Sequence, residues 1–245
     1  MSGYGAISSV YDRLNAEIDY RKWADGIEKM FDTYMEKRPE IVLDLACGTG
    51  KMTFELSHRG YDMIGADISA DMLSRAMMNQ EEESILWLMQ DMRSFELYGS
   101  VGAVVCCLDA VNCLLKTEDL EACFKTVHNY LDEGGLFIFD VNSPYKFENI
   151  FSDNAYILED EGIFCGWQNE YDKKSGICKF YLTVFEKDGK NYVRHDELQR
   201  ERKYSEKQLK SALESAGLEF IGIFGSPDME KADEKSERWY VISRK

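Results

Sequence analysis

Long hydrophobic runs, paired cysteines and basic residues are all scarce in this chain of 245 residues. No apolar stretch approaches the roughly 20 residues that cross a bilayer, and the first residues lack the charged-then-apolar order of a signal peptide. The seven cysteines form no CxxC pair, which argues against structural zinc and against a disulfide-rich scaffold. We therefore expect a cytoplasmic protein with no membrane partner and no bound metal.

Basic residues are outnumbered, with 29 lysines and arginines against 45 aspartates and glutamates. The net charge of −16 repels a polyanion at long range and leaves no broad gain from counterion release. Nucleic acid is therefore a disfavoured partner, although Arg200, Arg202, Lys207 and Lys210 can still form a local basic patch. The apolar fraction of 44% is enough for the core of one large domain, or of a domain with an insertion.

The stretch from Ile41 to Gly50 is an apolar run broken by a single aspartate and closed by two glycines. Such a run is typical of a strand buried on both faces, and the glycines permit a sharp turn where a Cβ would obstruct a ligand. Strand-like runs at 61–67, 85–89, 101–107 and 136–141 follow, each separated by a helical pattern. This alternation predicts a parallel sheet with right-handed crossovers.

Capping residues mark where the predicted helices begin, and glycines mark where one of them ends. Asp19 is a good N-cap for an amphipathic helix over residues 19–36. Thr117 is expected to cap a later helix, which Gly134 and Gly135 stop before the fifth strand.

The pattern changes between about residues 156 and 204, where there is no helical period. Three β-like runs at 163–171, 177–186 and 192–201 are separated by turn signals, which predicts an antiparallel meander inserted into the parallel domain. A hairpin is expected to join the last two strands, so that the final strand runs antiparallel.

The predicted fold class is α/β, a doubly wound Rossmann-like sheet of seven strands with an antiparallel last strand, plus the inserted meander. The core is expected to comprise residues 1–143 and 205–245, with residues 1–38 as a helical lid and residues 144–204 as the insert.

Acidic residues stand at the ends of successive predicted strands, where open α/β sheets bind their ligands. Asp67 ends the second strand about 20 residues after the glycine turn, a position from which a carboxylate can accept hydrogen bonds from both ribose hydroxyls. Asp91 follows the third strand and can hold an adenine amino group. Together these residues predict an adenosine-binding site.

The cofactor that carries this adenosine is constrained by what the glycine turn lacks. A dinucleotide fingerprint requires a third glycine where Thr53 stands, and a phosphate-binding P-loop requires Gly-Lys-Ser/Thr where the sequence has Gly50-Lys51-Met52. Asp44 inside the turn is a poor neighbour for a pyrophosphate and a better one for an ammonium or sulfonium group.

The Asp-Leu-Ala-Cys-Gly-Thr-Gly sequence at 44–50 resembles the first motif of class I S-adenosylmethionine-dependent methyltransferases. The protein is similar in architecture to glycine N-methyltransferase and to the sugar N,N-dimethyltransferases. The resemblance implies S-adenosylmethionine as cofactor, S-adenosylhomocysteine as product, and methyl transfer by in-line displacement to a nitrogen or oxygen nucleophile of a small molecule.

The same resemblance implies a set of contacts with the cofactor. Gly48 is expected to line the methionine part, Asp91 and Met92 to bracket the adenine, and Leu108 to lie near the transferred methyl. The full set of expected cofactor-binding residues is Tyr11, Tyr20, Trp23, Asp44, Ala46, Cys47, Gly48, Asp67, Ile68, Met72, Asp91, Met92, Cys107 and Leu108.

Asp109 and Asn112 follow the fourth strand at the expected mouth of the pocket. They are candidate catalytic residues that orient the substrate, with a cap or turn role as the alternative. Aligning the nucleophile with the methyl carbon and sulfur can supply of order 7–11 kcal/mol of barrier reduction. A general base is optional, because a neutral amine need not lose a proton first.

Other functions remain open from the sequence. The substrate can be tRNA or rRNA, or the protein can be a non-catalytic, regulatory S-adenosylmethionine-binding module; the missing third glycine argues against a nicotinamide oxidoreductase. The meander is expected to cover the substrate, with a sheet-edge cover or a dimer contact as alternatives. The methyl acceptor and the oligomeric state stay undetermined.

Overall fold

The computed structural model describes residues 7–80 and 84–245, which form two β-sheets and six α-helices. The strands are β1 (Ile41–Leu45), β2 (Asp62–Asp67), β3 (Leu86–Met89), β4 (Val101–Cys106), β5 (Leu131–Asn142), β6 (Ala155–Asp160), β7 (Ile163–Asp172), β8 (Ile177–Asp188), β9 (Asn191–Arg202), β10 (Glu219–Phe224) and β11 (Arg238–Arg244). The helices are α1 (Tyr11–Leu14), α2 (Tyr20–Tyr34), α3 (Lys51–Ser57), α4 (Ala70–Asn79), α5 (Thr117–Tyr130) and α6 (Glu206–Ser215).

The first sheet has seven strands in the order β10-β11-β5-β4-β1-β2-β3. Strands β1 to β5 pair in parallel, whereas β11 is antiparallel to both β5 and β10. The predicted seven-stranded sheet with an antiparallel last strand is therefore confirmed. Because β1 lies between β2 and β4, the strand order reverses beside β1, and the carboxyl ends of these strands form the crevice where such sheets bind ligands.

Helices pack on both faces of this sheet, as a doubly wound arrangement requires. On one face α5 and α6 bury an aromatic cluster in which Phe137 and Phe139 stack with ring centroids 4.8 Å apart. On the other face α2 buries Ile27, Met30 and Phe31. The cap of α2 is as predicted, since the Asp19 carboxylate accepts a hydrogen bond from Lys22 N at 2.9 Å.

The boundary between α5 and β5 differs from the prediction. Helix α5 ends at Tyr130 and β5 begins at once with Leu131, so Gly134 and Gly135 lie inside the strand and do not stop the helix. The β4–β5 register is irregular at this point, and the two glycines permit it. Gly134 has a positive φ of 77°, and a Cβ on Gly135 would lie 2.8 Å from Gly102 O. Thr117 is the first helical residue and not the N-cap.

The second sheet is antiparallel, with the order β6-β7-β8-β9. The three predicted runs correspond to β7, β8 and β9, and the sequence prediction missed β6. Strand β6 is an edge strand in which the apolar residue Ile157 is 70% exposed. Apolar and polar residues therefore do not alternate along it, and that alternation is what marks a strand in sequence. None of the helices in 7–80 and 84–245 combines the length and the apolar character needed to span a membrane.

Candidate active site

A cavity of about 650 Å³ opens at the carboxyl ends of β1 to β4, and its volume is within the range of ligand sites. One wall is the strand-end wall, formed by the turns after β1 to β4, and the other is the β9 wall, formed by residues 196–200. Every residue expected to bind the cofactor lines the cavity except Trp23: Tyr11, Tyr20, Asp44, Ala46, Cys47, Gly48, Asp67, Ile68, Met72, Asp91, Met92, Cys107 and Leu108.

The turn after β1 has the shape of a ligand cradle. Ala46, Gly48 and Gly50 all have positive φ angles, of 61°, 55° and 80°. At Gly50 a Cβ would lie 2.6 Å from the Trp87 ring, so only glycine fits that position. At Gly48 a Cβ would have no atom of the protein within 4 Å, so the backbone there faces open space. The turn can therefore approach a ligand closely.

Asp44 is a buried carboxylate at the base of this turn, with 1% of its surface exposed. Burial raises its pKa from 3.8 to about 7, against the opposing effect of the Thr53 hydroxyl, which donates to Asp44 Oδ2 at 2.6 Å. No lysine or arginine of the described ranges pairs with it. A positively charged ligand group in the cavity would compensate the charge that the fold leaves there.

Asp67 at the end of β2 is held by backbone donors. Gly48 N donates to Asp67 Oδ2 at 2.9 Å and Ser69 N donates to Oδ1 at 2.7 Å. Burial raises the pKa of Asp67, and these N–H groups oppose the shift. Since a carboxylate has about four acceptor positions, each oxygen retains capacity for a ligand hydroxyl.

Asp91 after β3 already has a strong partner. Arg93 Nη2 lies 2.5 Å from Asp91 Oδ2, and the hydrogen bonds from this guanidinium lower the Asp91 pKa. Arg93 also pairs with Asp119 on α5 at 3.1 Å. An adenine amino group bound at Asp91 would thus share the carboxylate with Arg93.

The aromatic residues of the N-terminal segment take different places. Tyr11 and Tyr20 line the cavity, and burial raises the pKa of both, so their hydroxyls stay neutral. Trp23 lies outside the lining, because its ring packs edge-on against Tyr240 at 5.2 Å and beneath the guanidinium of Arg238 at 5.5 Å. Its position is that of a core residue, which was the alternative for an apolar helical stripe.

Helix α1 connects the strand-end wall to the second sheet. Asp12 Oδ1 accepts a hydrogen bond from Thr49 Oγ1 at 2.6 Å, which ties α1 to the glycine turn. Arg13 binds Asp160 of the second sheet at 2.8 Å. Val10 is buried against the same sheet, in a cluster with Cys165.

Asp109 and Asn112, the candidate catalytic residues, do not line the cavity. Asn112 is fully buried, with both ends of its amide bound to the backbone: Nδ2 donates to Arg202 O at 2.8 Å and Oδ1 accepts from Asn142 N at 2.9 Å. The Asp109 carboxylate pairs with Arg238 at 2.7 Å. Both side chains are thus committed to holding the loop after β4, which was the alternative role for these positions.

The conformation of that loop depends on buried Asp140. Its carboxylate accepts from Leu108 N at 2.7 Å and from Asp109 N at 2.9 Å, and Arg238 binds it as well. These bonds hold Leu108 and Asp109 at φ angles of 61° and 54°, a left-handed conformation that costs energy in residues other than glycine. Asp140 was not a candidate, because it stands within the predicted fifth strand, where an acid gives no signal of a bond to another loop.

The cysteines of the lining are not nucleophiles. Burial raises the pKa of the Cys47, Cys107 and Cys113 thiols well above the usual range, so all three remain protonated at neutral pH. All seven cysteines of the protein are free.

Comparison with known proteins identifies the family. A family model described as a methyltransferase domain matches residues 42–135. The crystal structure of an S-adenosylmethionine-dependent methyltransferase from Clostridium acetobutylicum ATCC 824 matches with a TM-score of 0.89 and 30% identity, over 98% of this chain and 98% of that one. The chain belongs to the S-adenosylmethionine-dependent methyltransferases.

Two further matches are more distant. A Streptomyces venezuelae dTDP-3-amino-3,4,6-trideoxy-alpha-D-glucopyranose N,N-dimethyltransferase is 25% identical over 90% of this methyltransferase and 93% of its own length. The S-adenosylmethionine-bound structure of CalS10, an amino pentose methyltransferase from Micromonospora echinaspora, shares the fold with a TM-score of 0.75 at 17% identity, covering 97% of this chain and 96% of that one.

S-adenosylmethionine is the cofactor of this methyltransferase, and the strand-end wall fits its parts. The open space at Gly48 and the uncompensated carboxylate of Asp44 suit the cationic methionine part. The remaining acceptor capacity of Asp67 suits the ribose hydroxyls.

Proposed function

We propose that this methyltransferase transfers a methyl group to an amine nitrogen of a small molecule. The supporting observation is the carboxylate of Glu197, which lies with Asp196 and Arg200 on the β9 wall of the same cavity that the cofactor residues line. Glu197 on this wall accepts a hydrogen bond from the neutral amide of Gln199 at 2.8 Å. A carboxylate beside the cavity favours an acceptor that becomes cationic.

The name of a relative supports the same acceptor class. The Streptomyces venezuelae protein is by its name an N,N-dimethyltransferase of an amino sugar. An amine acceptor also agrees with the neutral tyrosine hydroxyls of Tyr11 and Tyr20, which can orient a nitrogen by hydrogen bonds without adding charge.

The bound cofactor supplies a methyl group on a sulfonium that leaves as a neutral thioether. The residues of the protein have to bind, align and shield the two reactants, since an amine that reacts in its neutral form needs no base beforehand. We assign the alignment to the Leu108 turn, which Asp140 holds rigidly, and the stabilisation of positive charge on the methylated nitrogen to Glu197.

The second sheet is, in this proposal, the cover of the acceptor. Strand β9 lines the cavity together with the strand-end wall, and α1 links the glycine turn, through Asp12, to Asp160 of the second sheet, through Arg13. A nucleic acid fits this arrangement poorly. Of the four residues that can form a basic patch, Arg200 alone lines the cavity; Arg202 donates to Leu115 O at 2.9 Å and Lys210 lies 3.9 Å from Glu214.

A transfer assay with methyl-labelled S-adenosylmethionine tests the proposal. The panel consists of small primary amines, the alcohols in which a hydroxyl replaces each amine, and unmodified tRNA. We expect labelled product with one or more amines and none with the matched alcohols. Labelling of an alcohol or of tRNA in place of the amines would contradict the proposal.

A further inference from the structure

Strand β9 borders the cavity with a strand edge that no other strand of residues 7–80 and 84–245 covers. It is the last strand of the second sheet, paired with β8 on one side only, and its residues 196–200 line the cavity. An edge strand directs the N–H and C=O of every second residue away from its neighbour. Backbone donors and acceptors therefore form part of the β9 wall.

The hydrogen-bond pattern identifies these residues. Lys203 N donates to Gly176 O at 2.8 Å, directly beyond the end of the β8–β9 ladder. The register of this ladder runs without a bulge, so alternate residues counted back from Lys203 bond to β8 and those between them do not. Arg202, Arg200 and Leu198 consequently direct their backbone groups away from β8.

An independent contact confirms this direction. Arg202 O accepts a hydrogen bond from the side chain of Asn112, which lies on the other side of β9 from β8. Within residues 7–80 and 84–245, nothing bonds to the outward N–H or C=O of Leu198 or Arg200. Leu198 is partly buried and Arg200 is exposed, so a ligand amide in the cavity can reach their outward backbone groups and gain hydrogen bonds to them.

We infer that the free edge of β9 at Leu198 and Arg200 binds the methyl acceptor through a secondary amide of that molecule. The amide N–H donates to a backbone carbonyl of β9 and the amide C=O accepts from a backbone N–H, as in the addition of a strand to a sheet edge. The inference rests on the proposed function, because it takes the occupant of this wall to be the acceptor. A short peptide and the lactam edge of a pyrimidine base both present this donor and acceptor pair.

Nuclear magnetic resonance of the 15N-labelled protein saturated with S-adenosylhomocysteine tests the inference without requiring turnover. The probes are glycylglycinamide, thymidine and, as a diamine without an amide, 1,4-diaminobutane. We expect an amide probe to shift the N–H signals of Leu198 and Arg200 more than that of Gln199, which bonds to β8. Shifts with glycylglycinamide assign a peptide-like acceptor, and shifts with thymidine alone assign a pyrimidine carrier.

Absence of these shifts with both amide probes, or equal shifts with 1,4-diaminobutane, would overturn the inference. A pair of variants isolates the backbone donor. Leu198→Pro removes the side chain together with an N–H that the ladder does not use, which an edge strand tolerates, and Leu198→Ala removes the side chain but keeps the N–H. The proline variant is expected to bind the responding probe about three- to tenfold more weakly than the alanine variant, the range of one hydrogen bond.

Equal probe affinity of the two variants would also overturn the inference, provided that both bind S-adenosylhomocysteine like the unmodified protein and are therefore folded. The transfer assay separates this inference from the proposed function. Shifts at Leu198 and Arg200 without methylation of any amine would contradict the proposed function while leaving amide binding at the β9 edge in place. Methylation of amines without these shifts would support the proposed function and contradict amide binding at the β9 edge.

Discussion

The two walls of the cavity are built from different kinds of information. The strand-end wall consists of turns whose residues are close in sequence, such as Gly48 and the Asp44 four residues before it. The β9 wall enters the site from a separate sheet, more than 80 residues after the Leu108 turn. The turn after β1 is therefore determined by neighbouring residues, whereas the β9 wall depends on how the second sheet docks.

The largest effect is expected from a substitution in the strand-end wall. Asp67→Ala removes both the ribose acceptor and the anchor of Gly48 N, so we expect S-adenosylmethionine affinity to fall about 100-fold, in line with loss of hydrogen bonds to a charged group. Isothermal calorimetry measures the change. Glu197→Gln, on the opposite wall, is the matched control and should bind the cofactor normally; a similar loss there would erase the distinction between the walls.

Asp44→Asn tests the buried charge of the same wall. The folded-state pKa of about 7 lies above the ordinary 3.8, so wild-type stability falls as pH rises through this window, and the substitution removes that loss. We expect cofactor-free Asp44→Asn to exceed wild type by about 1–4 kcal/mol in unfolding free energy at pH 8, with little difference near pH 4. Urea denaturation at the two pH values measures this.

The gain in stability should coincide with a loss of function. Because Asp44 is assigned to the cationic part of the cofactor, Asp44→Asn should weaken S-adenosylmethionine binding about tenfold, the order of one charge-assisted contact. Unchanged affinity would show that the carboxylate serves only the fold.

Glu197→Gln tests the charge of the β9 wall. Loss of the negative charge should lower kcat/KM for the amine about fivefold to tenfold and leave the affinity for S-adenosylmethionine unchanged, since Glu197 belongs to the β9 wall. Steady-state kinetics with a fixed saturating cofactor concentration measures it. An increase in kcat/KM would contradict the role given to this carboxylate.

The smallest effect is expected at α1, which joins the glycine turn to the second sheet. Asp12→Asn weakens the bond from Thr49 Oγ1 and the 3.6 Å contact with Lys51, so we expect about a threefold increase in the dissociation rate of S-adenosylhomocysteine. Stopped-flow displacement measures that rate. Arg13→Gln, which releases only the contact with the second sheet, is the matched variant. A larger effect from this variant would show that the contact with the second sheet, and not the one with the glycine turn, limits the release of S-adenosylhomocysteine.

The sequence predicted what depends on neighbouring residues. The order of strands, the glycine turn and Asp67 follow from hydrophobic runs and from spacing, because the carboxyl ends of parallel strands meet at one edge. The amphipathic stripe of α2 was also recognisable, because its apolar residues recur every three to four positions. However, the stripe does not reveal that Tyr20 faces the cavity while Trp23 packs against Tyr240.

Features that depend on distant partners were not predictable. Asn112 and Asp109 were placed correctly after the fourth strand, but their partners Arg202 and Arg238 come about 90 and 129 residues later. The β9 wall was recognised as a strand, and nothing in its alternation indicates that its free edge borders the cavity. Its docking is a tertiary property of the insert.

Asn112 gives the insert a further property. Through one amide it bonds to Asn142 N, where the polypeptide leaves the seven-stranded sheet, and to Arg202 O, where it returns. The two junctions are thereby fixed next to each other, whatever segment runs between them, and segments with adjacent ends are the ones that proteins exchange most readily. On the proposed role of β9, exchange of the segment between the two junctions would change the acceptor site and leave the strand-end wall intact.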